Sequence, residues 1–116
     1  MSIALYEIIM AQDFRRYKER NIASVRTILT ANSYDTVIGI RVANVHASDT
    51  ANVSVYIHDG SNDFYIAKAV PIPAGSSIEF IDGGAKMVLE NNDVLKISSS
   101  VNYVDAWVSC VDAISS

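Results

Sequence analysis

From residue 33 to residue 114 the chain changes polarity with a period of two, and runs of that period are separated by short polar breaks. Successive side chains of a strand point to opposite faces, so this alternation is what a half-buried β-strand requires and what a helix cannot use. Over 35–45, Ile38, Ile40, Val42 and Asn44 fall on one face, and Val37, Gly39, Arg41, Ala43 and Val45 on the other. Val53, Val55 and Ile57 alternate with Ser54, Tyr56 and His58. Phe64, Ile66, Lys68 and Val70 alternate with Tyr65, Ala67 and Ala69. Ile78 and Phe80 flank Glu79, and 86–90 makes a further short strand. Leu95 and Ile97 alternate with Val94, Lys96 and Ser98, and Val104, Ala106, Val108 and Cys110 with Tyr103, Asp105, Trp107 and Ser109.

The breaks have turn chemistry. Residues 46–50 and 59–63 are rich in Asp, Asn and Ser, 82–84 reads Asp-Gly-Gly, and 91–93 reads Asn-Asn-Asp. Pro71 and Pro73 lack the amide a central strand must donate, so 70–75 is a crossing or an edge. With a strand over 24–31, about eight strands follow one another at short spacing. That pattern predicts an all-β, antiparallel sandwich, jelly-roll-like in its strand count. Ile40, Val42, Val55, Ile57, Ile66, Leu95, Ile97 and Val108 are the expected core.

The leading residues break this rhythm. Ile3, Tyr6, Ile9, Met10, Phe14 and Tyr17 recur at spacings of three and four, one face of a short helix, although Leu5 and Ile8 fall off the stripe. An extended arm packed on a neighbour is the other reading. The expected organisation is an N-terminal arm, 1–23, and a β-sandwich domain, 24–116. Charge separates the two as well. Residues 1–26 hold five bases against three acids, and residues 27–116 hold four bases against ten acids. The cluster Arg15, Arg16, Lys18 and Arg20 therefore precedes an acidic body. Such a body is a poor nucleic-acid ligand, whereas an acidic protein surface suits the basic segment.

A chain of 116 residues is one domain's worth, and at 50% apolar and 19% charged it has the composition of a folded protein. No apolar run reaches the ~18–20 residues that span a bilayer. The start carries Glu7 and no basic n-region, which argues against a signal peptide. The single cysteine, Cys110, allows no intramolecular disulfide and fits synthesis in a reducing cytoplasm, as a core residue.

Chemistry-bearing constellations fail one by one. Asp59, Ser61 and Asp63 have the spacing that opens a calcium loop, but Phe64 and Tyr65 follow and no closing acid stands in place. His46 and His58 lack ligand partners at metal spacing. Glu79 and Glu90 form no evident glycosidase pair. No catalytic residue, metal ligand or cofactor site is expected, and the chain reads as non-enzymatic. Aromatics on outward positions are the more informative group. If Val104, Ala106, Val108 and Cys110 face inward, Tyr103 and Trp107 face out, and Tyr56 and Tyr65 do so on their own strands. Several on one sheet face would make a subunit interface.

Ile40-Arg-Val-Ala-Asn-Val45, Ala51-Asn-Val-Ser-Val-Tyr-Ile57, Ile66-Ala-Lys-Ala-Val-Pro-Ile-Pro-Ala-Gly75 and Val88-Leu-Glu-Asn-Asn-Asp-Val-Leu-Lys-Ile97 resemble small β-sandwich virion proteins of tailed bacteriophages, among them capsid decoration (cement) proteins of the cyanophage kind. The resemblance covers roughly residues 25–114. It implies a non-enzymatic virion part on the outer surface of a phage head, with the major capsid protein as partner and a dimer or trimer on the particle. A tail, neck or fibre component is the alternative within that family, and a carbohydrate-binding module the alternative outside it.

Overall fold

The computed structural model describes residues 12–31, 34–81 and 86–113. Among them the chain is all-β, in the order β1 (Gln12–Ile22), β2 (Val25–Thr30), β3 (Tyr34–Asn44), β4 (Ala51–His58), β5 (Asp63–Ile72), β6 (Ser77–Ile81), β7 (Met87–Leu89), β8 (Val94–Ser99) and β9 (Val104–Ala113). Two antiparallel sheets form a sandwich. One, sheet A, has the order β1-β9-β3-β6 with β7 also paired to β3, and the other, sheet B, has the order β2-β8-β4-β5. With the three-residue β7 set aside, the first strand pairs with the last, the second with the second-last, and so inward to the β4–β5 hairpin. That nested pairing is the wrapped hairpin of a jelly-roll-like sandwich.

Eight of the nine strands follow the expected pattern, and the ninth is the surprise. Gln12–Ile22 is an extended strand paired with β9 from Gln12↔Ala113 to Ile22↔Val104, so the helical reading of the leading segment does not hold there. The basic cluster misled because Tyr17 and Ile22 are the strand's chief apolar contributions to the core. Ile22 is fully buried after a bulge at Asn21, whose φ is 54°. Ile3, Tyr6 and Ile9 lie outside the described residues, as does the Asp-Gly-Gly turn.

The core sits between the sheets. Ile40, Val42, Val55, Leu95, Ile97 and Val108 are buried as expected, while Ile57 and Ile66 are partly buried and pack against the rest. Removing an Ile or Leu side chain of this kind from water contributes about 1.5–3 kcal/mol. Cys110 is buried in the same cluster. Two phase slips correct the simple alternation. In β3 a bulge between Val37 and Gly39 puts Asp35 and Val37 inward before it and Ile40, Val42 and Asn44 inward after it, so Ile38 leaves the inner row. In β5 two irregularities leave Ala67 opposite Val55 and Lys68 over the Tyr65 ring, on the outer face. Ala69 has a φ of 52°, and its amide donates to Ser54 Oγ at 2.9 Å.

At one end of the sandwich, buried Asn44 holds three segments together. Its Nδ2 donates to the carbonyls of Asp49 (2.8 Å) and Ile72 (2.9 Å), and its Oδ1 accepts from the His46 amide (2.9 Å). Its carbonyl accepts from Gly75, whose φ of 78° a side chain would strain. At the other end, the β4–β5 hairpin tip is closed by Asp59, whose Oδ1 accepts from the amides of Ser61 (2.9 Å) and Asn62 (2.8 Å). Those two hydrogen bonds hold its carboxyl below the ordinary range. The Asp-x-Ser-x-Asp spacing thus builds a hairpin turn, and the described residues contain no cluster of three metal-ligating side chains.

Candidate binding face around Trp107

Residues paired across strands share a face, so the register of sheet A specifies what its outer side presents. Lys18, Trp107 and Arg41 lie in one row across β1, β9 and β3, and Glu79 on β6 continues it. Arg16, Ser109 and Gly39 form the next row, and Phe14, Val111, Thr36 and Val88 the one beyond. Trp107 is at the centre and 47% exposed. The Arg16 guanidinium carbon stands 5.3 Å from its ring centroid, a cation–π distance. Arg41 is ion-paired with Glu79.

Small residues shape the surface around the indole. Gly39 and Ser109 leave a groove of about 290 Å³ on one side, floored by Ile38, Ile40 and Ile81 and walled by Arg41 and Glu79. On the other side Ala43 opens a second groove of about 290 Å³, edged by Lys18, Glu19, Arg20 and Asp105. Each is large enough for a side chain and shallow for a small-molecule pocket. Asp105 is occupied locally, its Oδ1 accepting from the Asn21 amide at 3.2 Å, and Glu19 is paired with Arg26 at 2.6 Å. Among the described residues no carboxylate pairs with Arg16, Lys18 or Arg20.

The expected site residues divide. Arg16, Lys18 and Arg20 gather round Trp107, joining a basic cluster and an aromatic that lie far apart in sequence. Arg15 pairs in register with inward-facing Cys110, so alternation separates it from the other bases. Phe14 is 77% exposed at the start of the strand. The four aromatics do not share a face. Tyr56 and Tyr65 belong to the outer side of sheet B, with centroids 4.9 Å apart, and Tyr103 precedes β9 with its ring 5.8 Å from that of His46. Tyr56 is buried although it points out, because Tyr65 covers it and Lys68 lies 5.0 Å from the Tyr65 ring. Burial, with Asp63 and Tyr65 nearby, raises the Tyr56 phenol above its ordinary value.

Arg41, Gly39 and Ser109 were not among the expected site residues. The signal was present: Arg41 sits on an outward row with only Gly39 and Ala43 beside it, a charged side chain among the smallest apolar ones. What the row lacked was a partner strand, and only the pairing with β9 supplies Trp107.

No protein-family model matches this sequence. No curated protein matches it either. Solved structures do share its fold. A chain of the acid-stable capsid of Helicobacter pylori bacteriophage KHP30 matches with a TM-score of 0.60 at 12% identity, covering 90% of this chain and 89% of that one. A chain of the Bacillus endospore appendages, a family of disulfide-linked pili, matches with a TM-score of 0.50 at 13% identity, over 90% and 88%. A pentameric capsid protein from metagenomic phage sequences has a TM-score of 0.48 at 16% identity, over 87% and 65%. At such identities the likeness is one of fold: the chain is a two-sheet sandwich of a kind found in a phage capsid and in a bacterial pilus.

Proposed function

We propose that the chain is a non-enzymatic structural subunit of a phage particle, a decoration protein bound to the outer surface of the head. The observation that carries this reading is the end-to-end correspondence with the KHP30 capsid chain, which leaves about a tenth of either chain unmatched. The proposed partner is the major capsid protein. The contact falls to residues 1–11, with Ile3, Tyr6 and Ile9 as apolar anchors, and continues into exposed Phe14 and Arg15. An arm of this kind adds area to a domain that is already folded, and repetition over a shell multiplies a weak contact. The pilus likeness gives a less apt model, because the only cysteine of this chain is buried in its own core and unavailable for cross-links between subunits.

The test is co-sedimentation with phage heads that lack the protein. Full-length chain should pellet in a fixed ratio to the capsid protein, and a variant lacking residues 1–11 should fold and stay in the supernatant. The deletion must stop there, since Gln12 begins β1. Retention on a glycan array with no capsid binding would favour a lectin-like role for Trp107 instead.

A further inference from the structure

We propose that the Trp107 face of one copy receives the acidic hairpin end of another, so that copies join head to tail. The chain carries both halves of such a contact. The receiving half is the outer side of sheet A, where Arg16, Lys18 and Arg20 lack acidic partners among the described residues and two grooves flank a half-exposed indole. The inserting half is the end of the sandwich where the β4–β5 tip and the β7–β8 turn meet. His58 is in register with Val94, which places Asp59 and Asp63 beside Glu90 and Asp93. Neither 58–63 nor 90–93 contains a lysine or arginine, although Asp63 Oδ1 lies 2.7 Å from His58 Nδ1 and Asp93 accepts from the Glu90 amide at 2.9 Å. Phe64, 56% exposed, follows directly and offers an apolar group of a size the grooves accept.

Other ways for copies to meet are less favourable. Two Trp107 faces brought together would oppose bases to bases. Edge pairing of β1 with a second β1 would align Arg15, Arg16, Lys18 and Arg20 against their own copies, the charged-edge device that blocks sheet extension. The β5 edge carries Pro71 and the irregularity at Ala69. Exposed ion pairs contribute little singly, so charge here chooses the orientation and the speed of encounter, and the indole and Phe64 supply the apolar burial. A contact between two different surfaces closes as a two-fold dimer only where both copies make it reciprocally. Otherwise it closes as a ring of three or more copies, or runs on as a filament.

The inference does not depend on the phage reading. Trp107 is the only tryptophan, so its emission reports the face directly. For the full chain, light scattering should show species larger than the monomer as concentration rises, with a blue shift of emission, both weakened by salt. R16E/K18E (face) and D63K/E90K (end) should each weaken association about tenfold or more. An equimolar mixture of the two should recover it. Asp59 is left intact because it closes its turn. A wild type that stays monomeric with unshifted emission overturns the proposal, as does a D63K/E90K variant that associates like wild type. If the wild type is monomeric and R16E/K18E instead abolishes capsid binding, the face belongs to the capsid and the self-contact falls while the decoration role stands. If self-association holds and capsid binding fails, the reverse is true.

Discussion

Both outer faces of this sandwich carry an aromatic ring beneath a cation, and they use it differently. On sheet B, Lys68 stands over Tyr65, which is 47% exposed, and Tyr65 in turn packs on Tyr56, which is 8% exposed. On sheet A, Arg16 leans over Trp107, and the indole is still 47% exposed because its neighbours Gly39, Ala43 and Ser109 are too small to cover it. The first cluster is complete within one molecule. The second is open, with Arg16, Lys18 and Arg20 lacking a carboxylate partner among the described residues. An aromatic–cation pair is therefore no signature of binding by itself; what distinguishes the two faces is that Tyr65 covers a second ring, whereas Trp107 stands between two grooves left by small neighbours.

Substitutions turn this contrast into measurements. The largest effect sets the scale from inside: Ile97→Ala, beneath sheet B, should lower the unfolding free energy by about 2–5 kcal/mol in chemical denaturation. A loss below about 0.5 kcal/mol would place β8 one residue out of register, and would undo the assignment of outer faces with it. Next, Tyr56→Ala should cost about 1.5–3 kcal/mol, whereas Trp107→Ala should stay within about 0.5 kcal/mol for the isolated chain. Equal losses at the two sites would erase the distinction between a covered ring and an open one.

Alkaline pH offers a finer probe. The folded state holds the Tyr56 phenolic proton more tightly than the unfolded chain does. Stability should therefore decline as pH rises through the ordinary tyrosine value of about 10, until the raised folded-state value is passed. Tyr56→Phe should remove part of that decline, and a pH–stability profile identical to wild type would refute a buried phenol. The smallest expected effect is Gly39→Leu. A Cβ at Gly39 would meet only ordinary contacts, with the Ile81 carbonyl at 3.8 Å and Ser109 Cβ at 3.9 Å. Thermal unfolding should hardly change while the groove beside Trp107 fills and any partner contact there weakens. A large drop in melting temperature would mean that the groove is already occupied by the molecule's own packing.

The interior was legible from the sequence because burial on one side imposes the period of two. Val104, Ala106, Val108 and Cys110 are inward as their spacing required, and Pro71 marked an edge strand. Strand β1 was not legible as a strand, since its outward positions are Arg and Lys and its inner row is short of apolar residues. An edge strand needs to bury little, so its alternation is faint. The bulge at Ile38 was hidden for a related reason: Val37 and Ile38 are equally apolar, and only pairing with Cys110 and Ser109 decides which turns in. The binding face was half legible. Exposed Trp107 and the basic cluster could each be named, but their meeting depends on β1 lying beside β9, a long-range pairing that no local pattern encodes.

That pairing also governs the order in which the molecule is built. As the chain leaves the ribosome, β1 emerges first and its partner emerges last of the nine strands. Sheet A therefore lacks the strand that joins its two parts until β9 arrives: β1 waits without its partner, and β3, already able to pair with β6 and β7, keeps one edge open. Non-local pairing of this kind slows folding and leaves sheet edges open in the meantime. The charges of β1 guard one such edge during the wait: Arg15, Arg16, Lys18 and Arg20 repel another nascent copy until β9 takes its place between β1 and β3.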